Sequence, residues 1–169
     1  MPGIDGFVSS GGITVIADAL IGTLTTAGAQ AAGDFVGTDH TMITFANCAR
    51  VNGGTGVISR VLFVDGDLQS KPGELWLFDT AAVVADEGLG HDNAAFTITD
   101  AIAKTCIGVI PFSAYYASAL NSVSVGTPSS PIAFACLAGS KDLYGAFVTR
   151  GAPTYTTNVP FFRLIIWQD

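Results

Sequence analysis

The two imidazoles of this chain, His40 and His91, each stand beside a carboxylate, Asp39 and Asp92. Imidazole against carboxylate is the pairing used in general-base catalysis and, with further donors, in metal ligation. Adjacent residues on a strand point to opposite faces, and no second histidine or cysteine stands at ligand spacing. The expectation is therefore two exposed loop histidines and no metal site. Asp65 and Asp67, joined by Asp39 or by Asp86 and Glu87, would offer oxygen ligands to calcium. Asp65-Gly66-Asp67 nevertheless carries the Asp-Gly signal of a tight turn and no EF-hand pattern, so a turn is the expected reading.

Other chemistry finds less support. The Gly-x-Ser-x-Gly elbow of a serine hydrolase is absent, and neither histidine has a nucleophile near it in the chain. Glycosidase chemistry needs paired carboxyl groups; Glu74 and Glu87 are the only glutamates, and Glu74 opens a strand, where solvent exposure accounts for it. Gly53-Gly54-Thr55-Gly56 lacks the Lys-Ser/Thr ending of a phosphate loop and reads as loop glycine. Cys48, Cys106 and Cys136 are odd in number, lie in apolar runs and match no Cys-x-x-Cys pattern, so buried free thiols in a reducing compartment are expected. No catalytic residue and no cofactor emerges, and the chain reads as not an enzyme. Five aromatics, Trp76, Phe78, Phe161, Phe162 and Trp167, would stack on a sugar or fill an interface, with the domain core as the first expectation.

The elements that would position these residues are strands. Short runs of β-branched and aromatic residues, bounded by Gly, Pro, Asn, Asp and Ser, predict strands over 13–24, 41–51, 57–65, 74–80, 94–99, 106–112, 132–137, 143–149 and 161–168, with a weaker one over 122–125. In 57–65, Ile58, Arg60, Leu62 and Val64 alternate with Val57, Ser59, Val61 and Phe63. In 74–80 both faces are large and apolar, Leu75 and Leu77 on one and Trp76 and Phe78 on the other, so cover is expected on both sides. The glycines of 52–56 predict a hairpin loop, and Thr99 is placed to cap a single helical turn over 100–104. Residues 1–12 read as an N-terminal arm, and 13–169 as one all-β, jelly-roll-like antiparallel sandwich domain. The segment 25–39 has no clear strand pattern and reads as a loop or a partner-contacting insertion.

Charged residues make up 12% of the 169, against 49% hydrophobic, and mean hydropathy is +0.49. Disorder and solvated coiled coil both need far more charge. A net charge of −7 and scattered single cations argue against nucleic acid and anionic lipid as partners. The longest charge-free stretch, between Lys104 and Lys141, is broken by Pro111, Asn121, Gly126, Pro128 and Pro131, so no membrane span is expected. Asp5 stands where a secretory signal would carry a cation.

From residue 57 onward the chain resembles the capsid decoration, or cement, proteins of tailed bacteriophages and related virion structural proteins. The phrases that carry the likeness are Gly73-Glu74-Leu75-Trp76-Leu77-Phe78, Ala95-Phe96-Thr97-Ile98-Thr99-Asp100, Cys106-Ile107-Gly108-Val109-Ile110, Tyr144-Gly145-Ala146-Phe147-Val148-Thr149-Arg150 and Phe162-Arg163-Leu164-Ile165-Ile166. The resemblance implies a jelly-roll-like sandwich, made in a bacterial cytoplasm, that assembles as a homotrimer on the outer surface of a virion and clamps neighbouring copies of the major capsid protein. It brings no catalytic residues. Expected contact residues are Phe7 and Val8 in the arm, Phe35 in the 25–39 segment, and Trp76 and Phe161 near a subunit interface. The rival reading is a carbohydrate-binding head-fibre or receptor-binding sandwich, with Trp76, Trp167 or Tyr155 as stacking platform.

Overall fold

A computed structural model describes residues 13–21, 24, 28–81, 91–156 and 160–168. In chain order the strands are β1 (Ile13–Leu20), β2 (Gly28–Ala29), β3 (Asp34–Val36), β4 (Ile43–Phe45), β5 (Thr55–Asp65), β6 (Gly73–Phe78) and β7 (Ala94–Ala95), then the helical turn α1 (Asp100–Ala103). After it come β8 (Cys106–Phe112), β9 (Tyr115–Ala117), β10 (Ser122–Gly126), β11 (Ile132–Ala135), β12 (Leu143–Thr149), β13 (Thr154–Tyr155) and β14 (Phe161–Gln168). All pairings are antiparallel, and the chain is an all-β sandwich.

The first sheet runs β1-β14-β5-β10-β9, with β11 also on β5; the second runs β7-β3-β12-β6-β8, with β4 also on β12. Two strands are interrupted rather than ended. β10 takes Val61 to Asp65 of β5 and β11 takes Thr55 to Ile58, on one continuous path broken where Pro128 and Pro131 remove backbone donors. β3 and β4 likewise share one side of β12, separated by an excursion through 37–42 that carries Asp39 and His40.

Successive long strands alternate between sheets, which corrects the hairpin expected over 52–56. β4 pairs β12 and β5 pairs β14, so the glycines there turn an arch from one sheet to the other. Gly53 sits at φ +70°, where a side chain is strained, and a Cβ on Gly56 would lie 2.7 Å from the Phe134 ring. The described part of the 25–39 segment, from residue 28 on, also holds more regular structure than its sequence pattern indicates. It supplies β3, and Phe35 and Val36 there are fully buried.

Between the sheets four rings meet: Phe63 lies 5.0 Å from Phe162, 5.1 Å from Phe147 and 5.2 Å from Phe112, centroid to centroid. Offset rings at such spacing add to the area they bury. The expected alternation in β5 breaks midway, because a bulge opposite Ile165 and Ile166 leaves Ser59 and Arg60 both turned outward. Ile58 before the bulge and Val61 and Phe63 after it all face the core, and Leu62 and Val64 face out.

A second, smaller core lies on the far side of the second sheet. Phe35, Met42, Phe78, Ile102 and Ala146 are buried together there, with Trp76, Phe96, Ile98, Cys106 and Tyr144 packed against them. Its cover is the segment through β7 and α1. The Thr99 hydroxyl accepts the Ile102 backbone N–H, capping the turn as its sequence predicts and seating Ile102 over Phe78. Trp76 and Phe78 are thus covered by their own chain, the two-sided burial expected of β6.

Candidate functional site

The excursion between β3 and β4 brings Asp39 and His40 to His91 and Asp92, fifty residues on. Asp39 Oδ2 lies 3.3 Å from His91 Nδ1, its Oδ1 accepts the Asp92 backbone N–H at 2.7 Å, and the two imidazoles stand edge to face 4.5 Å apart. Asp92 Oδ1 in turn accepts the Gly37 N–H. His91 is exposed as expected, but His40 is half-buried at φ +54° with Nδ1 unpartnered, which corrects the expectation of two exposed histidines. The mirrored dipeptides Asp39-His40 and His91-Asp92 were the one sequence signal of this meeting. Each carboxylate accepts a backbone N–H from the opposite loop, so the cluster staples the two loops together, and among the described residues no group of three His, Cys, Asp or Glu side chains is placed to hold a metal ion.

Asp65 is fully buried and accepts the backbone N–H groups of Asp67 and Ser70, while Asp67 accepts from the Thr156 N–H and hydroxyl. These bonds make the expected turn. Asp86 and Glu87 lie outside the described residues. Glu74 is held by Arg150 at 2.7 Å and by the Trp76 indole, and the guanidinium keeps its carboxyl below the usual range, the wrong direction for a proton donor at neutral pH. Cys48, Cys106 and Cys136 are free, the first and last buried and Cys106 half-buried; burial pushes the Cys48 thiol up to about 12, far from a nucleophile.

The outer face of the first sheet is different in kind. Register places Leu20, Phe161, Val64, Val123 and Tyr116 side by side across all five strands of its path. The next row reads Asp18, Arg163, Leu62 and Val125; then come Ile16, Ile165 and Arg60, and last Trp167, Val57 and Ala133. Leu20 is 58% exposed, Tyr116 75% and Trp167 54%. Arg163 grips Asp18 through two bonds of 2.7 and 2.8 Å and lies over the Phe161 ring, and it holds the Asp18 carboxyl below its ordinary range. Arg60 has no ion-pair partner among the described residues. Among the described residues the face therefore carries three charged side chains in an otherwise almost wholly apolar array, where scattered single apolar residues are the norm for a solvated surface.

Of the residues expected at contacts, Phe161 lies within this face, partly exposed. Trp76 is half-buried against Phe96 on the other sheet. Phe35 is enclosed in the second core, which corrects its placement at a contact: its ring covers the sheet from within the chain. Phe7 and Val8 lie outside the described residues. Tyr155 is 1% exposed and offers no stacking face, whereas Trp167 does. Sequence reading missed Leu20, Val64, Val123 and Tyr116 as one row because their alignment depends on strand order. Comparison with family models, with curated proteins and with solved structures finds no match.

Proposed function

We propose that this chain is a non-enzymatic phage head decoration, or cement, protein that binds the outer surface of the major capsid protein shell and bridges its capsomers. The observation that carries the reading is the apolar outer face of the first sheet, which suits a chain that works inside a larger protein assembly rather than alone in water. The strand order supports the jelly-roll expectation. With β3–β4 and β10–β11 each taken as one strand, the long strands numbered along the chain order as 1-8-3-6 in one sheet and 2-7-4-5 in the other, the order two rolled Greek keys produce. Three free thiols agree with folding in a reducing compartment. Among the described residues no helix is long and apolar enough to cross a membrane.

Such a protein acts by linkage. It binds the assembled shell and not its separated subunits, so every contact adds to the shell's resistance to disruption. Residues 1–12, which lie outside the described residues, and the exposed Ala29, Ala31 and Ala32 of the 25–39 segment are the shell contacts in this reading. The test is co-sedimentation of the purified chain with expanded, undecorated phage shells. Saturable binding that raises the temperature of shell disruption is expected, and shells that pellet without the chain overturn the reading. The exposed Trp167 indole favours the sugar-binding alternative to a lesser degree; saturable binding on a glycan array would support it.

A further inference from the structure

We propose that the outer face of the first sheet is a contact between two copies of this chain, packed face to face about a twofold axis. The proposal deepens the assembly reading and rests on it only in taking the face to be covered.

The size of the face is right for a protein partner. Four inter-strand gaps of about 4.8 Å and eight residues at about 3.3 Å span a surface of roughly 20 by 25 Å. With side-chain relief this approaches the ~800 Å² per partner that a standard-size interface buries. Its chemistry then restricts the occupant. Any charged group set against the row of Leu20, Phe161, Val64 and Val123 would lose its water and gain no partner, so the surface over that row must itself be apolar, with charge admitted only against the rows that hold Asp18, Arg163 and Arg60. A second copy presents such a surface at matched concentration, and stacked sheet faces align readily at about −30° with their side chains interdigitated.

The twofold arrangement follows from the rest of the molecule. A head-to-tail contact requires a second apolar face of similar extent elsewhere on the chain. The outer face of the second sheet is covered by Phe96, Ile98 and Ile102, so among the described residues the first sheet can meet its like only in itself. This geometry differs from the threefold assembly that the family resemblance implies. Each face brings two guanidinium groups, Arg60 and Arg163, to one carboxylate, Asp18, and so a small excess of like charge. Added salt should screen that excess, and self-association should hold or tighten as salt rises, opposite to the response of an acidic partner docked on Arg60.

Size-exclusion chromatography with light scattering on the full chain, between about 1 and 100 µM, tests the contact. The expected mass is twice 17.3 kDa, retained in high salt, with Leu20→Lys and Val125→Lys each reducing it to a single copy and Val51→Lys, on an exposed residue of the arch between β4 and β5, leaving it doubled. Circular dichroism confirms that these exposed substitutions leave the fold in place; should either lysine variant unfold, dilution of the unaltered chain from double to single mass carries the test. A single copy at every concentration, three copies, or two copies indifferent to both face variants overturns the proposal. Shell co-sedimentation is read separately. A chain of one copy that still binds shells removes the twofold contact alone, whereas a chain of two copies that binds no shell removes the decoration reading alone.

Discussion

The two sheets of this sandwich meet the same problem on their outer faces and handle it in opposite ways. The second sheet turns Trp76, Phe78, Phe35 and Ala146 outward and covers them with its own β7–α1 segment, through Phe96, Ile98 and Ile102. The first turns Ile16, Leu20, Phe161, Ile165, Trp167, Leu62, Val64, Val123, Val125 and Tyr116 outward, and no described segment lies over them. Among the described residues, a connection covers one face and none covers the other. In the assembly proposed above, the open face is the part of the molecule whose stability account extends beyond a single copy.

That contrast predicts unequal responses to equivalent truncations. Phe78→Ala, under the covered face, removes a fully buried ring and should cost about 3–5 kcal/mol, read as a large fall in the denaturation midpoint of the isolated chain. A smaller effect comes from alkali and belongs to the interior as well. Burial lifts Cys48 to about 12 and raises Tyr115 and Tyr155 above the ordinary phenol range, with nearby Asp65 adding to both tyrosines. Folded values above unfolded ones mean that the stability these groups contribute is complete below about pH 9 and is lost as pH rises through the folded values. Thermal unfolding across that range checks it, and Cys48→Ala should flatten the slope. Smallest is Trp167→Ala on the open face, which should move the midpoint of the dilute chain by no more than about 0.5 kcal/mol while weakening association.

The sequence made one of these faces legible. In β6 the alternation of Leu75 and Leu77 with Trp76 and Phe78 announces burial on both sides, and Thr99 marks the helical turn that supplies the cover. Both are local patterns of period two or a single cap. The open face was hidden because it is written across five strands far apart in the chain. Val64 meets Phe161 and Val123 only through sheet order, and the bulge at Ser59 and Arg60 reverses which half of β5 faces out. Phe35 misled for a related reason. A strand of three residues between glycines is too short to show a period, and its burial comes from β12 and β7 alongside it. The meeting of Asp39-His40 with His91-Asp92 was likewise beyond local reading, since it depends on an excursion from a strand whose two halves are paired to the same neighbour.

Hydroxyl-radical footprinting across a concentration series, with mass spectrometry of the two tryptophans and Tyr116, addresses the contrast most directly. Oxidation of Trp167 and Tyr116 should fall as the chain is concentrated, while the rate at Trp76, already covered by Phe96, stays constant. Trp167 and Tyr116 labelled equally at every concentration would contradict the account, because the open face would then be in water.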